Sequence, residues 1–192
     1  MPMIRKTQNQ ILSIVGLAIA IFVLSGNVFG MQDKVSPLSD FQYKKDYADV
    51  ETILKEADVQ KRADALTAFV KTHPISKAFG WVSSSYMECA KAQKDPAKAI
   101  AMVEAYLALI PTKEAVQAAD PARAEEFLKG VADVQKQAFL FFIDAYSQAG
   151  NLPKAAESAE KLYELTPDKA LLPVLTDFYL KMKNNDKFIP YA

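Results

Sequence analysis

Histidine and cysteine carry much of the nucleophilic, acid–base and metal chemistry that proteins perform near neutral pH. This chain of 192 residues has one of each, His73 and Cys89. Sixteen residues apart, they cannot make up the four-ligand set of a structural zinc site. A Ser-His-Asp relay would have to use His73 directly before Pro74, and no nucleophile elbow is present to expose a serine. Its simpler role is a helix C-terminal residue near the negative end of the dipole. The acidic pair Glu125-Glu126 could supply general acids, but at a helix start it reads as dipole-favouring surface charge. Six glycines include no phosphate-binding loop. No cofactor, metal or catalytic set is expected, and the chain reads as a binder, not an enzyme. Cys89 has no partner for an intramolecular disulfide and is expected as a small buried apolar residue at helical spacing.

Lysine plus arginine and aspartate plus glutamate both number 23. The first 30 residues contribute Arg5 and Lys6 and no acid, which leaves the rest two charges negative. That balance does not suggest a nucleic-acid partner, which needs a basic face, and there is no basic run suited to anionic lipid. With 51% hydrophobic and 24% charged residues, the chain has globular composition.

Residues 1–30 read as a targeting segment. Arg5 and Lys6 precede an uncharged stretch whose apolar heart is Ile11–Leu24. Ser25-Gly26-Asn27 follows, then Val28-Phe29-Gly30 with small residues suited to cleavage. The heart is shorter than the roughly 20 residues needed to span a bilayer. Counted through Met31 it reaches that length, so residues 11–31 are either a cleaved secretory signal or a membrane anchor. Either way the remainder is expected outside the cytoplasm, in the periplasm or cell envelope. Residues 31–40 read as a linker and 41–192 as the working domain.

That domain carries an internal recurrence. Three segments end at Pro74, Pro111 and Pro167. Sixteen residues before each proline stands a polar cap, Asp58, Asp95 or Asn151; thirteen before stands Lys61, Lys98 or Lys154. Apolar residues recur eleven before (Ala63, Ile100, Ala156), eight before (Leu66, Val103, Ala159) and five before (Phe69, Tyr106, Leu162). This is one stripe of a helix. Asx caps satisfy first-turn amides, Pro96 fits the first helical position, and the terminal prolines stop each helix. A second periodic segment precedes each frame: Phe41–Lys55, Phe79–Lys94 and about Gln135–Ala149. The expected unit is two antiparallel helices joined by two or three residues.

Here the chain resembles the tetratricopeptide repeat family. In the third unit Phe142, Tyr146, Gly150, Ala155, Ala159, Leu162 and Pro167 fall on the family's signature spacing. The unit departs at Ile143, where a small residue is usual, and at Ala159, where an aromatic is. The second unit keeps Ala99 and Pro111 but has Ala90 and Lys94 in place of an aromatic and a glycine, and the first has Arg62 in place of a packed alanine. The resemblance covers about residues 41–111 and 135–186. It implies an all-α, right-handed antiparallel helix-hairpin array, a tetratricopeptide-like solenoid of about three hairpins. An inserted helix over about Thr112–Val134 and a C-terminal capping helix, Lys169–Lys183, complete it. Asp120-Pro121 is expected to open the inserted helix, which either kinks at Gly130 or runs on into the third unit. Asn185, 34 residues after Asn151, marks the start of an unfinished fourth unit.

In the family the first helices line a concave groove. Carried over, this places Glu51, Glu88 and Asp144 at one repeating position. Tyr47, Ser84 and Leu140 come one turn earlier, and Leu54, Lys91 and Ser147 one turn later. The expected groove is Tyr47, Glu51, Trp81, Ser84, Glu88, Lys91, Leu140, Asp144 and Ser147. It is weakly acidic with apolar spots and suits a protein or peptide segment with basic residues. Trp81 is expected chiefly in the core, a binding hot spot being the alternative. Leu140 and Phe141 either pack on a neighbouring helix or form a partner surface. The functional expectation is an envelope protein-binding scaffold or adaptor, with the role of an accessory subunit of a membrane complex within its scope. The alternatives are a self-assembling helical module, for which Phe188-Ile189-Pro190-Tyr191 adds apolar surface, and a carboxylate-based hydrolase on a helical scaffold. Membrane contact would come only through an uncleaved leader.

Overall fold

In the computed structural model residues 40–184 are described. The leader, nearly all of the linker, Asn185 and Phe188–Tyr191 lie outside the described residues. These form eight α-helices and one 3-10 turn, with no strand among them. The helices are α1 (Asp40–Leu54), α2 (Val59–Thr72), α3 (Phe79–Lys91), α4 (Pro96–Leu107), α5 (Lys113–Ala119), α6 (Ala124–Gln148), α7 (Leu152–Leu165) and α8 (Leu172–Lys181). The expected all-α class is observed.

The recurring frame does locally what its residues dictate. Asp58 accepts from the amides of Gln60 and Lys61 at the start of α2, and Asp95 from those of Ala97 and Lys98 at the start of α4. Asn151 accepts from Lys154 at the start of α7. Each side chain satisfies first-turn donors that the helix leaves open. The apolar stripe is buried as its spacing requires: Ala63, Leu66, Phe69, Val103, Tyr106, Ala156, Ala159 and Leu162 are all inaccessible, with Ile100 half-buried. Side chains of the size of Leu66 contribute about 1.5–3 kcal/mol each when fully removed from water. At the position of the buried alanines Ala99 and Ala155, Arg62 is half-buried and turns its guanidinium to account. Its Nε donates to Cys89 Sγ at 3.3 Å and its Nη1 to the Glu56 carbonyl at 3.4 Å. Cys89 is fully buried, as expected.

Contacts run α1 with α2, α2 with α3, α3 with α4, α6 with α7 and α7 with α8; α6 also packs on α3, α4 and α5. The turns inside the pairs are 55–58, 92–95 and 149–151, so two of them exceed the expected two or three residues. The third is tight because Gly150 sits at φ +73°, where a side chain would be strained. The Gly150 amide donates to Ser147 and that of Asn151 to Tyr146, capping the last carbonyls of α6 while Asn151 begins α7.

Two local expectations are corrected. Asp120-Pro121 opens no helix: Asp120 ends α5, and its carboxylate is held by Arg123, whose Nε donates to it at 2.6 Å. With that oxygen engaged by a side chain, it does not cap the amides that follow. The insertion is instead short α5, capped by Thr112, and the first half of α6. Of the two readings at Gly130, continuity holds. The 25 residues of α6 run unbroken for about 37 Å. Its buried stripe Ala124, Val131, Val134, Ala138, Phe142 and Ala145 keeps helical spacing throughout. It joins the core of the first two pairs around Leu66, Val82 and Tyr106, and through Phe142 a second cluster with Met87 and Val103. The second correction is at the C-terminal segment, where Lys169–Leu171 is a 3-10 turn and α8 starts only at Leu172.

Candidate partner groove and the cleft beside it

Only Tyr47, Trp81, Leu140 and Leu180 are large apolar residues left exposed among the described residues. The first three stand at expected groove positions on α1, α3 and α6. Trp81 is 40% accessible, which corrects its expected place in the core. Its neighbour Val82 takes that place at 0%, because Phe79, Val82, Tyr86 and Cys89 form the buried stripe of α3 and Trp81 falls off it.

Along α1, α3 and α6 the structure gathers two groups of the expected groove residues. At one end Tyr47 and Trp81 meet across α1 and α3 with ring centroids 5.9 Å apart. Tyr43 stands edge-on to Tyr47 at 4.7 Å, and Lys77 Nζ lies 4.6 Å above the Tyr43 ring. The Tyr47 hydroxyl donates to the Lys77 carbonyl at 3.4 Å. Burial first, then its bond to Tyr43 and the charges of Tyr43 and Glu126, raise the pKa of this phenol. At the other end Lys91, Leu140 and Asp144 line an open depression of about 460 Å³ between α3 and α6, with Phe141 half-buried in its wall. Leu140 is 48% accessible, whereas Phe141 packs against the core. Glu51, Ser84 and Glu88 are exposed on the same helices, and Glu51 pairs with Lys55 at 3.6 Å. Asp144 accepts from Gln148 at 2.8 Å. Ser147 is half-buried and donates to the Ile143 carbonyl at 2.6 Å, which commits its proton to the helix.

Several residues at the aromatic end were not foreseen. A cleft of about 200 Å³ opens between the α2–α3 turn, the start of α3 and the α5–α6 region. Ile75, Phe79, Val116 and Phe127 form its apolar lining, and Phe79 and Phe127 touch with centroids 4.8 Å apart. Lys77, Asp120, Arg123 and Glu126 are its charged members. Gly80 and Gly130 face it from α3 and α6, and a Cβ at either would meet nothing within 4 Å. Neither glycine has a positive φ, so neither is required by the backbone. In a helix interior glycine costs roughly 0.5–1 kcal/mol relative to alanine.

His73 caps the C-terminus of α2, as expected. Its Nε2 lies 3.8 Å from the buried Asp46 carboxylate, to which Gln42 donates at 2.7 Å. Thr72 Oγ1 is 2.8 Å from His73 Nδ1 but also 3.1 Å from the carbonyls of Ala68 and Phe69. Its proton is claimed by the helix, and the imidazole–carboxylate distance exceeds a hydrogen bond.

Among the described residues no cluster of three or more His, Cys, Asp or Glu is placed to hold a metal ion. No helix of theirs is long and apolar enough to cross a membrane. No protein-family model matches the chain, and no curated protein matches it in sequence.

Proposed function

We propose that the chain is an exported, tetratricopeptide-like scaffold that binds a protein segment along the face presented by α1, α3 and α6. The observation that carries this reading is the exposure of Tyr47, Trp81 and Leu140. They are three of the four large apolar side chains left in water among the described residues, and all three stand at the first-helix positions that line the family's groove. A folded chain with 51% hydrophobic residues has ample means to bury an aromatic ring. Rings left out on one repeating face suit a partner, and tryptophan and tyrosine dominate such contacts energetically. The acids Glu51, Glu88 and Asp144 along the same face favour a segment carrying lysine or arginine. An adaptor of the cell envelope, free or attached through residues 11–31, is the role that fits, and an accessory place in a membrane complex is its natural setting.

The test is co-purification from the native envelope with the full chain and with a Trp81→Ala, Leu140→Ala double variant. The reading expects a discrete partner that the variant loses while its helical content stays unchanged. A partner retained by the variant counts against it. Sequencing the mature N-terminus separates a secreted protein, starting at Met31, from an anchored one, starting at Met1. One observation favours the self-assembly alternative: Leu180, on α8, is 60% accessible. Light scattering on wild type and Leu180→Glu decides that reading.

A further inference from the structure

We infer that the 200 Å³ cleft beside Tyr47 and Trp81 is an anchor pocket that takes one large apolar side chain of a bound segment, with a lysine or arginine next to it paired to Glu126. This deepens the groove reading and rests on it. The size of the cleft argues first. Sites for drug-sized ligands and cofactors occupy about 300–1,000 Å³, whereas an apolar cavity of about 150 Å³ accepts a benzene ring. The cleft therefore fits a leucine or phenylalanine side chain and is too small for a cofactor. Its lining by Ile75, Phe79, Val116 and Phe127 suits such a group.

The glycines argue second. Gly80 and Gly130 stand on facing helices, unopposed by any atom within 4 Å of where a Cβ would project, and no backbone angle requires them. Any larger residue would strengthen the helix and narrow the cleft. Their effect is to keep the space open.

Charge argues third. Both cations of the cleft are engaged: Arg123 is paired with Asp120, and Lys77 lies over the Tyr43 ring. Glu126 is exposed and makes no hydrogen bond or ion pair among the described residues; its one interaction is electrostatic, with the Tyr47 phenol. The four charges balance, but Glu126 is the one with neither an ion pair nor a ring contact, so the anchor's neighbour is a cation. Tyr47, bonded to the Lys77 carbonyl, and Trp81, next to Gly80, make the mouth continuous with the exposed aromatic end of the groove.

A random dodecapeptide library displayed on phage and selected on the full chain supplies the probe. Enriched peptides are resynthesised with a fluorescent label and titrated by anisotropy. The expected consensus is Leu, Phe or Met beside Lys or Arg. Gly130→Leu is expected to weaken binding by about tenfold or more while raising Tm by about 2–4 °C, since it fills the pocket and removes a helix glycine. Gly80→Leu, at the opposite wall, guards against a misfolded first variant, and Glu126→Gln should cost binding only for peptides with the basic residue. If Trp81→Ala abolishes binding and both leucine variants bind as wild type, the pocket is wrong and the groove stands. If the peptides ignore Trp81→Ala as well, or if none is enriched, the groove reading falls and takes the pocket with it.

Discussion

Ser83 and Tyr106 meet oxygen to oxygen at 2.8 Å inside the α3–α4 pair, both buried. Ser83 has one proton and gives it to the Phe79 carbonyl at 2.7 Å, so the phenol is the donor between them. Tyr106 is further held by stacking on Tyr86 at 4.3 Å, whose hydroxyl donates to the Met102 carbonyl at 3.1 Å. The two residues are not equivalent. Ser83→Ala strands a buried phenol and is expected to cost about 1–3 kcal/mol. Tyr106→Phe leaves Ser83 its carbonyl bond and should cost about 0.5–1.5 kcal/mol. The double variant should cost less than the two together, because they share one bond. Urea unfolding of all four proteins measures each cost.

Tyr106 and its stacking partner also set the alkaline limit. Burial raises the pKa of the Tyr106 phenol far above the tyrosine range, and burial raises that of Tyr86 as well. Tyr146 is pushed up to about 12, by burial first and then by the Glu104 carboxylate it donates to at 3.0 Å. Below about pH 10 these phenols are protonated in folded and unfolded chains alike, and their contribution is fully present. Above it the unfolded chain releases protons that the folded one retains, so stability falls as pH rises. Circular dichroism and tyrosinate absorbance should change together during alkaline unfolding. Tyr106→Phe should make the loss of stability with pH less steep.

Cys89 offers a probe of opening. It is fully buried with Arg62 against its sulfur, so a thiol reagent reaches it only through unfolding. The native thiol should react at least about a thousandfold more slowly than that of the urea-unfolded chain. The protection should fall in parallel with stability as urea is added. Arg62→Ala should speed labelling in the absence of urea, when global unfolding is still negligible. Fast labelling of the wild type would show that α2 and α3 separate locally.

What was legible in the sequence was whatever depends on neighbours along the chain. The caps Asp58, Asp95 and Asn151 and the stripes behind them follow from spacing alone, and the structure repeats them. The expected groove rests on the family resemblance, not on spacing alone; of its residues Tyr47, Trp81 and Leu140 are exposed. Asp120-Pro121 depends on more than its neighbours in the dipeptide. The dipeptide is the same as Asp95-Pro96, but an arginine three residues on takes the carboxylate and a turn replaces a helix start. Trp81 was misplaced because the buried stripe of α3 runs through Val82 instead, a choice of register that composition does not reveal. The cleft was invisible for a stronger reason: Gly80 and Gly130 lie 50 residues apart in sequence, and their meaning lies in the space between two helices.

The last turn of α8 ends as α6 does. At the end of α6 the Gly150 amide donates to Ser147 and the Asn151 amide to Tyr146. At the end of α8 the Lys183 amide donates to Leu180 and the Asn184 amide to Tyr179, the same pair of bonds. Gly150 adopts its φ of +73° freely, whereas Lys183 holds φ 55° with a Cβ set against the carbonyl that follows. The left-handed conformation costs a non-glycine residue roughly 1–2 kcal/mol. Lys183→Gly relieves that cost and returns part of it as entropy of the unfolded chain, for an expected net gain of about 0.5–1 kcal/mol. Gly150→Ala adds the same strain at the α6–α7 turn, between two helices packed along their length, and should destabilise by about 1 kcal/mol or more. Thermal unfolding of both variants reads the opposite signs. A Lys183→Gly chain no more stable than wild type would show that α8 does not end in this turn.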